Sequence, residues 1–249
     1  MPVRRDRGFT VLELVLALGL FALVMAGVGR VLLTQKRLYR ELGQRADLSD
    51  NLRTAGDILS SELWGLDAAD GDLEAMGPDS LTIRAARAFS AVCGVPASPL
   101  RLRRDVTFGV RDVAVGDSLL VYAFPDSSWR PGVVTATPSP ISCPDSIATP
   151  VLAFDVVTYR SYRASDGAYY IGVRDAGGLQ PIAGPLPPGG LLFSYFDSAG
   201  APAAVVPKVA AIRVRIRMQS AEPVTRRGAT TVLEDSLVTW VTLRNNPRF

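Results

Sequence analysis

The longest apolar stretch of the chain runs from Phe9 to Gly29, 21 residues holding a single charge, Glu13. As a helix rising about 1.5 Å per residue it would be roughly 31 Å long, close to the thickness of a bilayer core. Arg4, Arg5 and Arg7 precede it, and Arg30 closes it. Beyond Arg30 the helical period continues with a different composition. Leu38, Leu42, Leu48, Leu52, Ala55, Leu59, Leu63 and Leu66 recur at steps of mostly three and four, while Gln35, Lys36, Arg40, Glu41, Gln44, Arg45 and Asp47 fill other faces. This is an amphipathic pattern. It predicts one continuous helix from Phe9 to about Leu66, about 87 Å long, its first half suited to a membrane and its second half packing a leucine stripe on a globular domain. Gly43 and Gly56 cost roughly 1 kcal/mol each in a helix, so a bend is most easily placed at one of them.

An acidic, turn-rich break follows at Asp67 to Pro78, and from Ser80 the period becomes that of strands. Leu81–Arg84, Ser118–Phe124 (after a Gly116-Asp117 turn), Gly132–Thr135, Phe154–Tyr162, Leu191–Phe196 and Leu237–Leu243 read as strands. Asp166-Gly167 marks a hairpin between Ser161-Tyr162 and Tyr169-Tyr170-Ile171. The clearest strand is Ile212, Val214, Ile216 and Met218 alternating with Arg213, Arg215 and Arg217. Thr137–Pro150 and Pro181–Gly190, each with four prolines, read as loops. No internal repeat of fixed period is present. The expected fold class is α+β, a long N-terminal helix and a β-rich domain over 67–249, with 85–150 the place for an inserted subdomain.

Composition narrows the chemistry. With 48% hydrophobic and 20% charged residues in 249, the chain can bury a core. Lys plus Arg exceed Asp plus Glu by only 27 to 24, a weak basis for a nucleic-acid partner, and none is expected. There is no histidine, which excludes a Ser-His-Asp triad, a Cys-His pair and any His-ligated metal. Two cysteines are too few for a four-thiolate zinc site. No G-x-x-x-x-G-K-[ST] phosphate loop occurs. No cofactor or metal is expected, and nothing favours an enzyme.

Three readings of the N-terminal stretch compete. A signal peptide would have a shorter apolar region followed by a small-residue cleavage site. A plain anchor fits the length but leaves Glu13 unexplained, since an acid within a membrane span costs about 2.5–3.5 kcal/mol at its centre. The third reading accounts for both. The stretch R-G-F-T-V-L-E-L closely resembles the processing site of type IV pilins and of the pseudopilins of type II secretion. The resemblance implies a basic leader over 1–8, cleaved after Gly8 by a membrane prepilin peptidase that then methylates the new N-terminal residue, Phe9. It implies a transmembrane and assembly helix over 9–29, an amphipathic continuation over 30–66 and a β-rich periplasmic domain over 67–249. Glu13 matches the family's glutamate, and its implied partner is the free α-amino group of a neighbouring subunit. The implied partners are other pilin or pseudopilin subunits, the prepilin peptidase and the inner-membrane assembly platform. The arginines before the span place the N-terminus in the cytoplasm.

The layout is similar to that of the larger minor subunits. G-G-L-L-F-S-Y-F-D-S-A-G at 189–200 and V-T-L-R-N at 241–245 resemble stretches of the PilW kind of minor pilin and of the J-type pseudopilin. The span lacks the mid-helix proline of many major pilins. The implied function is a minor pilin-like subunit at or near a filament tip. The alternatives are a pseudopilin of a type II secretion system and, from another class, a membrane-anchored periplasmic binding or enzymatic domain.

Other candidates have ordinary readings beside them. Cys93 and Cys143 either remain separate thiols or form a disulfide; pairing would close a loop of roughly 50 residues and contribute about 4 kcal/mol. Asp117, Asp166 and Asp197 sit in turns without an EF-hand spacing. Arg213, Arg215 and Arg217 form either an anion-binding stripe or a solvated face. Tyr159, Tyr162, Tyr169 and Tyr170 form either a ligand platform or cross-strand pairs.

Overall fold

The computed structural model describes residues 10–93, 107–125, 128–135, 148–226 and 229–244. Helix α1 spans Val11–Trp64 without interruption. Its predicted leucine stripe divides in two. Leu48, Leu52, Ala55, Leu59 and Leu63 are buried, as is Leu66 just beyond the helix, but Leu38 and Leu42 are more than half exposed. The stripe therefore becomes a core face only from Leu48 onward. The helix continues unbroken through Gly56. A side chain built there would run into Leu237, so glycine is the residue that allows close approach.

Thirteen strands follow among the described residues: β1 Leu73–Met76, β2 Ser80–Cys93, β3 Phe108–Gly109, β4 Ser118–Ala123, β5 Ser128–Val133, β6 Ala148–Arg163, β7 Tyr169–Asp175, β8 Gly178–Leu186, β9 Leu191–Phe196, β10 Ala211–Gln219, β11 Val224–Arg226, β12 Ala229–Thr231 and β13 Glu234–Thr242. The α+β, pilin-like class is the one observed: one long apolar N-terminal helix and then a β-rich region.

The described chain forms two compact units. One comprises residues 1–47 and 220–233, and the other 48–219 and 234–249. In the first, β11 and β12 pair antiparallel, and the Glu222 N–H donates to Gln44 Oε1 at 3.4 Å. In the second, an eight-stranded antiparallel sheet is built on two long strands, β2 and β6, paired from Ser80↔Arg160 to Cys93↔Ala148. The sheet branches on both. The outer edge of β6 takes β4 along Val151–Phe154 and β7 along Thr158–Arg163. That of β2 takes β1 and β3. A three-stranded sheet in the order β13-β10-β9 completes the unit.

Two apolar cores result. Ala88, Val92, Val113, Leu119, Val121, Val134, Val151 and Ala153 form one under the β2-β6-β4 region. The alternating strand residues Ile212, Val214, Ile216 and Met218 are fully buried on the helix side of β10, with Leu191 and Phe193 beside them on β9. A side chain of this size contributes about 1.5–3 kcal/mol when fully buried.

Two sequence expectations need correction. Residues Pro181–Leu186 lie within strand β8 and not in a loop. The reason is positional: among the described residues β8 pairs only with β7, and an edge strand tolerates proline because its outer amides need no partner. The break at Asp67–Pro78 contains β1. Asp67 and Asp72 are buried, Asp72 accepts the Asp67 N–H at 2.9 Å, and Asp67 accepts those of Ala69 and Asp70. The segment Thr137–Pro150 lies outside the described residues except for its last three, which begin β6.

Candidate assembly site at the helix N-terminus

Glu13 stands in the first turn of α1 and is reached from Thr10. The Thr10 N–H and Oγ both donate to Glu13 Oε2 at 3.3 Å, and the Glu13 N–H donates to Thr10 Oγ at 3.3 Å. This is a reciprocal capping box, in which two otherwise unpaired backbone donors at a helix start are satisfied by side chains. It places a carboxylate at the positive end of the helix dipole. The signal was in the sequence as T-x-x-E ahead of an apolar run, and the reading of Glu13 as an assembly residue passed over it. Gly8 and Phe9 lie outside the described residues. So does Cys143, and with it the choice between separate thiols and a disulfide to Cys93, which ends β2.

The apolar residues around and after Glu13 are open. Val11, Leu12, Leu14, Val15, Leu16, Leu18, Leu20, Phe21, Leu23 and Val24 are all more than half exposed. Among the described residues α1 is the one helix long and apolar enough to cross a membrane. An apolar surface of this length facing water would be costly, so it requires lipid or neighbouring helices.

Residues 3–29 match the family described as the prokaryotic N-terminal methylation motif. The match contains Gly8, Phe9 and Glu13, and it supports a type IV pilin-like or pseudopilin protein cleaved and methylated at its N-terminus; the apolar start of α1 is consistent with inner-membrane anchoring. No curated protein and no solved structure matches the chain.

The other sequence candidates have structural roles in the folded chain. Asp166 accepts the Ala168 N–H at 2.9 Å and the Tyr170 hydroxyl at 2.8 Å, closing the predicted hairpin, where Gly167 has φ of 85°. Asp197 Oδ1 accepts the amides of Ala199 and Ala201. Asp117 accepts from Arg111 Nη1 at 2.6 Å and from the Ala114 N–H at 2.7 Å. Burial acts to raise the Asp117 pKa, but the Arg111 hydrogen bond, the Ala114 amide and the Arg111 charge together outweigh it and hold the carboxyl below its ordinary value. Among the described residues no three His, Cys, Asp or Glu converge as a metal would need.

Tyr162 and Tyr170 form a tilted cross-strand pair with ring centroids 6.2 Å apart, while Tyr159 is buried, its hydroxyl pushed up to about 12 by burial and by the nearby Glu62 carboxylate. The tyrosines are not brought together as one platform. Arg213 and Arg215 are exposed on the outer face of β10. The Arg213 guanidinium lies 5.5 Å from the ring centroids of both Phe196 and Trp240, and Arg217 is paired with Glu234 at 3.1 Å.

Proposed function

We propose that this chain is a minor pilin-like structural subunit of a type IV pilus, made as a precursor and incorporated at or near the filament tip to prime assembly. The prepilin peptidase hydrolyses the Gly8–Phe9 bond and methylates the amine thereby freed on Phe9. The observation that carries the reading is the N-terminal methylation motif over residues 3–29, followed by a helix whose apolar face is left open from Val11 to Leu42. Glu13 then has two successive roles. In the precursor its carboxylate holds the Thr10 amide. In the assembled subunit it neutralises the α-amine of a neighbouring subunit, because an unpaired carboxylate among apolar helices is costly. The globular region faces the periplasm, and the subunit is a substrate of peptidase chemistry with no catalytic centre of its own.

The same motif supports a second reading, a pseudopilin of a type II secretion system, and the resemblance of residues 189–200 is shared by both kinds of subunit. The first test is the intact mass and N-terminal residue of the protein purified from its host's membranes. A chain starting at a methylated Phe9 is expected. A chain retaining residues 1–8 in cells with active prepilin peptidase overturns the reading and leaves a plain anchored domain. Purifying filaments and secretion complexes separately, and locating the processed chain in one of them, divides the two assemblies.

A further inference from the structure

Among the described residues β13 pairs with β10 alone, so its outer edge takes no strand. The phase of the strand is fixed where it ends: the Leu243 N–H donates to Ala210 O at 2.8 Å, toward β10, and the Arg244 N–H to Leu66 O at 3.1 Å, away from it. In an antiparallel ladder successive residues point to opposite sides, so Ser236, Val238 and Trp240 direct their backbone groups away from β10. The Ser236 N–H is bonded by Asp235 Oδ1 at 2.7 Å. Val238 and Trp240 thus present the edge's open donors and acceptors.

Beside this edge runs a groove of about 600 Å³, walled by Ser60, Ser61 and Trp64 of the helix and by Thr239–Thr242 of the strand. Two of the chain's three tryptophans are among the residues that line it, Trp64 65% and Trp240 56% exposed. Exposed tryptophan and arginine are the residues that most often anchor interfaces between proteins. Behind Trp240, Arg213 is held against its ring and against Phe196, with Arg215 exposed two residues further on.

We propose that an extended segment of another pilin-like subunit lies in this groove and adds a strand to β13, hydrogen-bonded to Val238 and Trp240. Backbone pairing supplies the affinity, and side-chain pockets at alternate positions supply the selection. Trp64 and Trp240 bury apolar side chains of the incoming strand. Arg213 and Arg215, about 7 Å apart along β10, favour carboxylates at its rim. The identity of the partner as a subunit rests on the proposed function; the edge and the groove do not.

The test uses the full chain in its host, with a photo-crosslinking amino acid replacing Ser236. The expected product is a cross-link to a second protein that carries its own N-terminal methylation motif. Val238→Pro removes the outward donor at a position where an edge strand tolerates proline, and it should reduce the yield at least tenfold while Val238→Thr retains it. Arg215→Glu should reduce it several-fold. Independently of any variant, the Val238 and Trp240 amides of the wild-type chain should exchange at least tenfold more slowly in the assembly than in the free subunit.

Equal yields in Val238→Pro and wild type, with unchanged amide exchange, overturn the strand pairing. An unchanged yield in Arg215→Glu overturns the acidic partner. A processed chain that cross-links only to its own copies, to nucleic acid or to nothing overturns the subunit partner while leaving the proposed function standing. A chain that keeps residues 1–8 overturns both.

Discussion

The Arg87 guanidinium on β2 donates from Nη1 to Glu62 Oε1 on α1 at 2.9 Å, and from Nε to Asp155 on β6 at 3.3 Å. It therefore ties the last turns of the helix to the two central strands of the large sheet. Arg111 extends the chain of charges, reaching Asp155 at 2.7 Å and Asp117 at 2.6 Å. With about one sixth to one third of each side chain exposed, these pairs are only partly screened by solvent. Glu62→Ala leaves Arg87 without its helix partner and is expected to destabilise the fold by about 1.5–3 kcal/mol. Denaturant unfolding of the full chain in detergent measures it. A loss under about 0.5 kcal/mol would show the pair to be incidental.

Asp117 gives this network a pH dependence. Its pKa is lowered in the folded chain, so the stability it contributes is complete above the ordinary aspartate range and is lost as pH falls through that range toward the lowered value. Stability should therefore decline below about pH 4. The decline should be shallower in Asp117→Asn, which has no proton to take up at this position. Parallel curves for the two proteins would remove Asp117 from the account of acid unfolding.

The close approach at Gly56 predicts an asymmetry with Gly43. No atom lies within 4 Å of a side chain built at Gly43, so Gly43→Ala should be neutral or stabilising by up to about 1 kcal/mol through helix propensity. Gly56→Val meets Leu237 and should destabilise by about 1–3 kcal/mol through overpacking. Thermal unfolding of the two variants side by side tests the difference in sign.

At the helix start, Thr10→Ala removes the cap and should cost about 1 kcal/mol of local helix stability. Amide exchange at Glu13 reports it directly. Glu13→Ala is expected to leave the globular region folded and to stop incorporation into the assembly. Normal incorporation of that variant would end the assembly role given to this carboxylate.

Much of the helix and most of the strands were legible because their signals are local. The 3.6-residue period of α1, the alternation Ile212–Met218 and the Asp166-Gly167 turn each depend on neighbours within a few positions. Strand β8 was missed because its prolines forbid a central strand but not an edge, and which strand lies at an edge is decided by pairing. Strand β1 was missed because the acids and turn residues around it read as a break, whereas Asp67 and Asp72 are buried and bonded to the turn. At the candidate site the sequence carried Glu13 and its distance from Phe9, and also the capping box, which local spacing alone encodes.

By itself the sequence determined the membrane-length helix, the basic residues ahead of it, the glutamate at its start and the switch to strands, because length, charge and period are properties of contiguous residues. Only the tertiary structure decided where the leucine stripe becomes a core, that Gly56 serves a close contact, which arginines are bound to carboxylates, and that Trp64 and Trp240 line one groove beside a strand edge. Those facts depend on residues up to 181 positions apart, as with Gly56 and Leu237. No local pattern brings such residues together. Burial, register and close packing do.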